Sequence, residues 1–333
     1  MESSNPQMRA WRVQTLGDYH ALTLETQPTP RPLPGEALVA IRAFAPGFPD
    51  MLMIQGLYQL KPTLPFTPCS EFCGVVSAVG EGVLQFKPGD PVMGMARFGA
   101  AAQFITWRAS ELLPLPAAFD FAHGAAYLVA YKTAYVALVV RGALQAGDTL
   151  LVHGAAGGVG LAAVDLGLHL GARVIATASG AEKMAVVRAK GAHHVLDARG
   201  AGFREAVKAL TGGRGADVIY DPVGGDVFDE SLRCIAPFGR MLVIGFASGR
   251  IPTASMNYAL IKQISLIGVR AGEYGRLDPA GGARVNAALL AAAQAGQLTP
   301  HVHARFGFTQ LPQAFDEIAG RRVIGRVVVE TDN

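Results

Sequence analysis

A glycine-rich turn at residues 153–160 is the segment of this sequence best suited to bind a charged ligand. It lies between an apolar run and a helical pattern, and its sequence is His153-Gly154-Ala155-Ala156-Gly157-Gly158-Val159-Gly160. A helix N-terminus offers backbone N–H groups to a diphosphate, and glycine lets them approach closely because it has no Cβ. A strand, such a turn and a helix in this order predict a dinucleotide site. Its predicted cofactor-binding residues are Gly154, Ala156, Gly157, Gly158, Val159 and Gly160.

The residues after the second predicted strand indicate which nucleotide this site prefers. NAD sites usually place an Asp or Glu roughly 20 residues after the glycines, where its carboxylate binds the ribose 2′-hydroxyl. Here Ser179 and Lys183 occupy that region instead, and both could bond a 2′-phosphate. The alternative is that Ser179 caps the next helix and Lys183 is solvated, and the neighbouring Glu182 argues mildly against a phosphate. We predict NADPH as the cofactor.

Alternating strand and helix patterns must position these groups. The predicted strands are Thr149–His153, Arg173–Thr177, Val195–Leu196, Ala216–Tyr220, Arg240–Gly245 and Ser265–Val269. The predicted helices between them are Gly157–Leu170, Ala181–Lys190 and Phe203–Leu210. Strands this apolar need helices on both faces, which predicts an α/β fold with a doubly wound parallel sheet of six buried strands. The turns that end strands five and six should line the cofactor through Gly245, Phe246, Val269 and Ala271.

The two ends of the chain have a different pattern. Short β-rich runs occur at Ala37–Ala43, Phe72–Val79 and Phe104–Trp107, and the C-terminal part offers helices at Val285–Ala295 and Leu311–Ala319 and a strand at Val323–Glu330. The proline-rich segment from Phe44 to Pro68 is predicted to be irregular, and a loop of that length is usually functional. We expect a β-rich domain built from both ends, with the α/β domain inserted between them.

Composition excludes several other classes of protein. The chain has 333 residues, of which 50% are hydrophobic and 17% charged, and its net charge is +3. These values predict two domains with sizeable cores and no nucleic-acid partner, which would need a concentrated basic stripe. The polar start Met1–Gln7 and the interrupted apolar stretch Gly124–Val140 predict neither a signal peptide nor a membrane partner. Three cysteines form no disulfide framework. We expect a soluble, cytoplasmic protein.

Motifs along nearly the whole chain resemble those of a known family. They are Pro49-Asp50, Gly56-Leu57-Tyr58, Pro65-Phe66, Glu71, Gly74-Val75-Val76, Lys87-Pro88-Gly89-Asp90, Thr133-Ala134-Tyr135, the turn at 155–160, Asp221-Pro222-Val223-Gly224-Gly225 and Gly325-Arg326-Val327-Val328. The sequence resembles the medium-chain dehydrogenase/reductase superfamily, in particular its zinc-free, zeta-crystallin-like quinone oxidoreductases. The resemblance implies a GroES-like catalytic domain (1–122 and 271–333), a Rossmann domain that binds NADPH (123–270) and an active site in the interdomain cleft. It also implies a homodimer joined through the edge strand Ser265–Val269.

Departures from the zinc-dependent relatives bear on the chemistry. Those relatives hold a catalytic zinc with a cysteine and a histidine at the positions of Gly47 and Ser70 here. Zinc needs three protein ligands at a catalytic site, and Glu71 with the adjacent Cys69 does not supply them. The spacing of Cys69 and Cys73 favours two half-buried thiols over a rebuilt site. We therefore predict no metal.

The resemblance leaves few candidates for catalysis. Many zeta-crystallin-like enzymes have an asparagine where this chain has Gly47 and a tyrosine where it has Leu52, whereas Tyr58 matches. We predict that Tyr58 stabilises or protonates an oxyanion and that Thr133 faces the nicotinamide amide; packing roles are the alternatives. Asp221 is expected to fix the following turn rather than act as a base.

Three functions agree with this pattern. The first is a zinc-independent, NADPH-dependent reductase that transfers hydride to a quinone or a related electron-poor enone. The second is a double-bond reductase for enoyl thioesters or acrylates. The third is a non-catalytic, crystallin-like protein that binds NADPH, because a fold does not fix a function.

Overall fold

The structure, a computed structural model, describes residues 6–199 and 202–333. The first five residues of the polar start Met1–Gln7 therefore lie outside the described part of the chain. The strands are β1 (Gln7–Arg12), β2 (Thr23–Pro28), β3 (Glu36–Ala45), β4 (Glu71–Val79), β5 (Pro91–Met95), β6 (Phe104–Arg108), β7 (Leu113–Pro114), β8 (Thr149–Val152), β9 (Arg173–Ala178), β10 (His194–Asp197), β11 (Ala216–Asp221), β12 (Ile235–Val243), β13 (Ser265–Gly268), β14 (Val302–Gly307) and β15 (Arg326–Glu330). The helices are α1 (Phe48–Ile54), α2 (Phe121–Tyr135), α3 (Gly158–His169), α4 (Ala181–Ala189), α5 (Phe203–Leu210), α6 (Gly225–Cys234), α7 (Met256–Lys262), α8 (Ala271–Leu277), α9 (Pro279–Gln294) and α10 (Leu311–Ala319).

The second of two compact units, Ala130–Leu298, contains a six-stranded sheet in the order β10-β9-β8-β11-β12-β13. Every neighbouring pair in this sheet is parallel. The order reverses between β8 and β11, as in doubly wound dinucleotide-binding folds, where ligands bind beyond the carboxyl ends of the strands at that point. The predicted doubly wound parallel sheet is confirmed. The prediction of six buried strands was wrong at the edges, because in the described part of the chain β10 and β13 each pair on one side only and expose side chains.

The first unit joins the described residues up to Val129 with Thr299–Asn333. Its larger sheet has the order β14-β15-β3-β4-β5-β7, with β6 also paired to β3, and β1 and β2 form a separate hairpin. The C-terminal strand β15 runs antiparallel to β3, so both ends of the chain contribute to one sheet. The second unit includes α8, which packs against α9 and against the π-helical turn Val136–Arg141, and the predicted domain bounds stay a prediction.

The segment Phe44–Pro68 is not irregular throughout, because α1 forms within it. Gly47 precedes the helix with an extended backbone, and its N–H donates to Asp50 Oδ2 at 2.8 Å. Pro49 lies in the first turn, where its missing N–H costs no helical hydrogen bond. The helix α1 therefore forms although the segment is rich in proline. It buries Met51, Met53 and Ile54 in the core of the first unit.

The apolar stretch Gly124–Val140 forms most of α2 and of the π-helical turn after it. Within residues 6–199 and 202–333, no helix combines the length and the apolarity that crossing a membrane requires.

Candidate functional site

The glycine-rich turn connects β8 to α3, as its sequence predicts. Gly154 has a φ of +56°, a conformation that favours glycine. A Cβ on Gly160 would lie 2.2 Å from the carbonyl oxygen of Gly154, so α3 can pack this closely on the turn only with glycine there. Gly154 and Gly160 therefore have structural reasons to be glycine within this loop.

Gly157 is different, because protein atoms leave space beside it. A Cβ on Gly157 would meet only the carbonyl oxygen of Gly154, at an ordinary contact distance of 3.4 Å. Gly157 is the N-cap of α3, and no side chain caps the helix. Leu161 N donates the first helical hydrogen bond to Gly157 O at 2.8 Å, so the amides of residues 158–160 have no acceptor within the helix. This combination of open space and helix N–H groups fits a diphosphate.

The turn after β11 packs beside this loop. Asp221 Oδ1 accepts hydrogen bonds from Val223 N at 2.8 Å and Gly224 N at 3.0 Å, which gives it the turn-fixing contacts expected from the sequence. Burial raises its pKa although both bonds favour the charged form. A Cβ on Gly154 would contact Val223 at 3.3 Å, so the turns after β8 and β11 lie side by side.

The structure brings several other predicted residues to the same edge of the sheet. Gly245 and Phe246 follow β12, and Phe246 lies next to the 222–224 turn: a Cβ on Gly224 would be 3.0 Å from its ring. Val269 N donates to Val243 O at the end of β12, and Ala271 begins α8. The predicted cofactor-lining positions thus follow the carboxyl ends of β8, β9, β12 and β13.

The end of β9 has a polar surface that sequence reasoning captured only in part. Ser179 is exposed, and the N-cap of α4 is Gly180 rather than Ser179, so the alternative role of Ser179 as the cap is not what the structure shows. Lys183 is half-buried in the first turn of α4. Asp197, at the end of the neighbouring strand β10, pairs with Arg199 through several hydrogen bonds. The shortest joins Arg199 Nη2 to Asp197 Oδ2 at 2.7 Å. These bonds lower the pKa of Asp197 to about 2.

His153, directly before the turn, is a buried polar residue that sequence reasoning did not single out. Its Nδ1 lies 3.0 Å from Thr177 Oγ1, and its Nε2 lies 2.8 Å from Ser231 Oγ. Burial lowers its pKa to about 3, so the ring is neutral at neutral pH. The only sequence signal was its position next to the glycines.

A second polar cluster surrounds Gly47 in the first unit. Arg326 Nη2 bonds Glu71 Oε2 at 3.0 Å and the carbonyl oxygen of Ala45 at 3.2 Å. A Cβ on Gly47 would be only 3.0 Å from Arg326 Nη1, so the guanidinium fills the space that a side chain at this position would need. Among the described residues, Asp50 Oδ1 and Arg326 Nε are buried without a hydrogen-bond partner.

Burial dominates the electrostatics of this cluster. Glu71 also accepts N–H bonds from Val129, at 2.9 Å, and from Leu128, yet burial raises its pKa to about 7. Burial likewise raises the pKa of Asp50 to about 6, against the opposing charge of Arg326 and a hydrogen bond from Ser70. Two buried carboxyls thus share one buried cation.

These residues do not fit a zinc ion. Zinc sites combine at least three His, Cys, Asp or Glu ligands, and the described ranges 6–199 and 202–333 contain no such group. At the positions of the zinc ligands in metal-dependent relatives, Gly47 has no side chain and Ser70 bonds Asp50. Cys69 and Cys73 are fully buried thiols whose pKa is raised by burial. A guanidinium beside Gly47 would also repel a metal cation.

The two predicted catalytic residues belong to different units. Tyr58 follows α1, donates its backbone N–H to Leu52 O at 3.1 Å and packs, half-buried, against the core of the first unit. Thr133 is half-buried in α2, within the second unit. Their roles stay predictions.

The buried pair in the first unit gives a pH-dependent prediction. We expect the stability of Glu71→Gln relative to the parent to increase as pH rises from about 4.5 to about 7. Because burial raises the pKa of Glu71 to about 7, the folded protein holds a proton that the unfolded chain releases above about 4.5, so stability falls across this window. Glutamine has no proton to release.

Urea unfolding followed by tryptophan fluorescence measures this effect, since Trp11 and Trp107 both belong to the first unit. Exposed Glu81→Gln is the matched control. A difference between Glu71→Gln and the parent that stays constant between pH 4.5 and 7 would contradict the prediction.

Comparisons with known proteins find a matching domain family for each of the two units. A family model described as an alcohol dehydrogenase GroES-like domain matches residues 33–117, and one described as a zinc-binding dehydrogenase matches residues 158–281. The chain is 36% identical to a rat protein named quinone oxidoreductase-like protein 2, over 98% of this chain and 94% of the relative. A mycobacterial structure complexed with NADPH superposes with a TM-score of 0.89 at 33% identity, over 97% of this chain and 99% of the other.

A further solved structure, the CurK enoyl reductase, superposes with a TM-score of 0.90 at 27% identity, over 98% of this chain and all of the other. The rat relative covers 98% of this chain, and the two family models match parts of both the β-rich sheet and the doubly wound sheet described above. The chain therefore belongs to the medium-chain dehydrogenase/reductase superfamily, among its quinone oxidoreductase-like members.

Proposed function

We propose that this protein is a zinc-independent, NADPH-dependent reductase that transfers hydride to a quinone or a related electron-poor enone. The observation that carries the proposal is the contrast between the two sites: the space beside Gly157 is open to a diphosphate, whereas the space beside Gly47 is filled by the Arg326 guanidinium. The names of the rat quinone oxidoreductase-like relative and of the mycobacterial NADPH complex support the same activity.

The residues fit a nicotinamide dinucleotide at the second unit. The amides at the start of α3 would hold the diphosphate, and the end of β9 would hold the adenosine ribose. Ser179 would donate a hydrogen bond to a 2′-phosphate and Lys183 would neutralise it. A bound NADPH would supply the hydride, while the protein orients the reacting carbon and excludes water.

The chain's own residues would then handle the charge left on the acceptor. Reducing a quinone or enone carbonyl system places negative charge on oxygen, and that oxygen needs a hydrogen-bond donor or a proton. We propose the Tyr58 hydroxyl as that donor and the Thr133 hydroxyl as the group that orients the nicotinamide amide. Many zeta-crystallin-like enzymes have a second tyrosine, but this chain has Leu52 at that position, so Tyr58 is the tyrosine that we propose.

The proposal is tested by mixing the protein with NADPH and separate benzoquinones, naphthoquinones and enones while absorbance at 340 nm is followed. We expect turnover with at least one quinone. Binding of NADPH without turnover of any acceptor would favour the non-catalytic alternative.

A double-bond reductase is the second candidate, favoured by the similarity to the CurK enoyl reductase. Enoyl thioesters and acrylates therefore belong in the same acceptor panel. A kcat/KM for an enoyl substrate that exceeds every quinone by about tenfold would favour this candidate over the first.

Lys183→Glu is expected to raise the KM for NADPH by about tenfold or more and to leave the KM for NADH nearly unchanged. The reason is that a carboxylate at this position repels a 2′-phosphate but not a 2′-hydroxyl. Steady-state kinetics with both nucleotides checks this result. Arg188→Glu, the same charge reversal at the exposed far end of α4, is the control and should change neither KM. Equal losses for NADPH and NADH would contradict the prediction.

We propose a homodimer joined through the edge strand β13. Among residues 6–199 and 202–333 no strand pairs with its outer edge, and Leu266 is 36% exposed. The preceding helix α7 adds further exposed apolar side chains, namely Met256, Leu260 and Ile261. An exposed apolar edge strand favours pairing with another chain.

Leu266→Asp is expected to convert the dimer to a monomer, because the new carboxylate would be buried without a partner at the proposed interface. Light scattering after size-exclusion chromatography measures the mass. Leu84→Asp replaces a leucine that is 94% exposed in the first unit and should leave the mass unchanged. A monomeric parent protein would contradict the proposal.

A further inference from the structure

His153 is fully buried, and both of its ring nitrogens have partners. It follows β8, the strand at which the sheet order reverses. Thr177, on one side, belongs to the neighbouring strand β9; Ser231, on the other side, belongs to α6, which follows β11. One imidazole thus connects the elements on both sides of the point where the dinucleotide would bind.

The direction of each hydrogen bond follows from Ser231. Its hydroxyl donates to the carbonyl oxygen of Val227 at 2.6 Å, so it can only accept from His153. His153 Nε2 must therefore carry the proton and donate it to Ser231 Oγ. The neutral ring then has Nδ1 as an acceptor, and the Thr177 hydroxyl donates to it. A single tautomer satisfies all three groups.

Thr177 transmits this arrangement to the cofactor loop through its backbone. Its carbonyl oxygen accepts the N–H of Ala155 at 3.0 Å, inside the glycine-rich turn. Thr177 also lies two residues before Ser179, at the end of the strand that would hold the ribose. The same residue therefore contacts the diphosphate loop and precedes the 2′-phosphate position.

We propose that His153 is a positioning residue for the cofactor, which acts through Thr177 to keep the diphosphate loop and the ribose-binding end of β9 at a fixed separation. The inference rests on the proposed use of NADPH. Its specific claim is that the imidazole acts by hydrogen bonding and not only by filling volume against its aromatic neighbour Phe203, whose ring centroid is 4.9 Å away.

Variants of Thr177 separate hydrogen bonding from packing. Thr177→Val keeps the volume and removes the hydroxyl, whereas Thr177→Ser keeps the hydroxyl. We expect Thr177→Val to raise the KM for NADPH by about fivefold, Thr177→Ser to restore most of the parent value, and His153→Leu to raise it by about tenfold. The kcat and the KM for the acceptor should stay close to the parent values. His169→Leu, at an exposed histidine in α3, is the control.

An independent spectroscopic measurement tests the tautomer. The ¹⁵N chemical shifts of the His153 ring in the full-length protein should show a protonated Nε2 and an unprotonated Nδ1. They should not change between pH 5 and 8, because burial keeps the ring neutral there.

The outcomes distinguish this inference from the cofactor proposal. If the parent does not bind NADPH, the proposed function fails. If the parent binds NADPH but Thr177→Val has the parent KM, or Thr177→Ser is as impaired as Thr177→Val, the positioning role of His153 is overturned and the cofactor proposal stands. A ring protonated at Nδ1 would also overturn it.

Discussion

Replacing Gly157 by alanine is expected to weaken NADPH binding by about 100-fold while the protein stays folded. The new Cβ would meet only one protein atom, Gly154 O at 3.4 Å, and the φ of Gly157 is −76°, which alanine adopts without strain. The methyl group would instead occupy the space into which a diphosphate must move. Titration calorimetry with NADPH measures the loss, and thermal unfolding measures the stability.

Two further glycine variants make this prediction specific. Gly160→Ala places its Cβ 2.2 Å from Gly154 O, so we expect it to lower stability by about 1–3 kcal/mol as well as binding. Gly307→Ala is the matched control, since Gly307 is also an N-cap with a negative φ, and its Cβ would meet one side-chain atom at 3.4 Å. Unchanged NADPH affinity in Gly157→Ala would show that the diphosphate does not bind beside this residue.

Arg326→Met is expected to destabilise the first unit by about 3–5 kcal/mol, because it leaves the buried carboxyls of Glu71 and Asp50 without their cation. Urea unfolding, followed by the fluorescence of Trp11 and Trp107, measures this loss. Arg305→Met is the control: Arg305 pairs with Asp120 and Glu330 at the surface, where such pairs contribute about 1 kcal/mol or less.

A double variant separates the lost charge from the lost volume. Glu71→Gln combined with Arg326→Met removes one of the stranded carboxyls together with the cation, so part of the stability should return. Equal destabilisation by Arg326→Met and Arg305→Met would mean that the buried pair contributes no more than a surface pair.

The parts of the fold that depend on local patterns could be predicted from the sequence. Strand–turn–helix alternation gave the parallel sheet, and the helices Phe203–Leu210 and Leu311–Ala319 have the predicted bounds. The helix α1 was missed because its start depends on a hydrogen bond between Asp50 and Gly47, within a segment whose prolines indicate a loop. The edge strands were expected to be buried because apolar composition does not reveal which strand lies at an edge.

In the candidate site, too, the parts formed by a local motif could be predicted from the sequence, and the parts formed by distant residues could not. The glycine turn is a continuous motif and could be placed from its spacing alone. The pair formed by Glu71 and Arg326 joins residues 255 positions apart, and the contact between His153 and Ser231 joins residues 78 apart. No periodicity within a sequence encodes such contacts, since they arise only when elements distant in the chain pack together in the folded unit.

The proposed redox step needs no metal, and one experiment tests this property most directly. Zinc content and NADPH oxidation by a quinone are measured on the same sample, before and after treatment with a strong chelator. We expect full activity with far less than one zinc per chain and no loss on chelation. Activity that rises in proportion to bound zinc, and that chelation abolishes, would contradict the proposed zinc-independent hydride transfer.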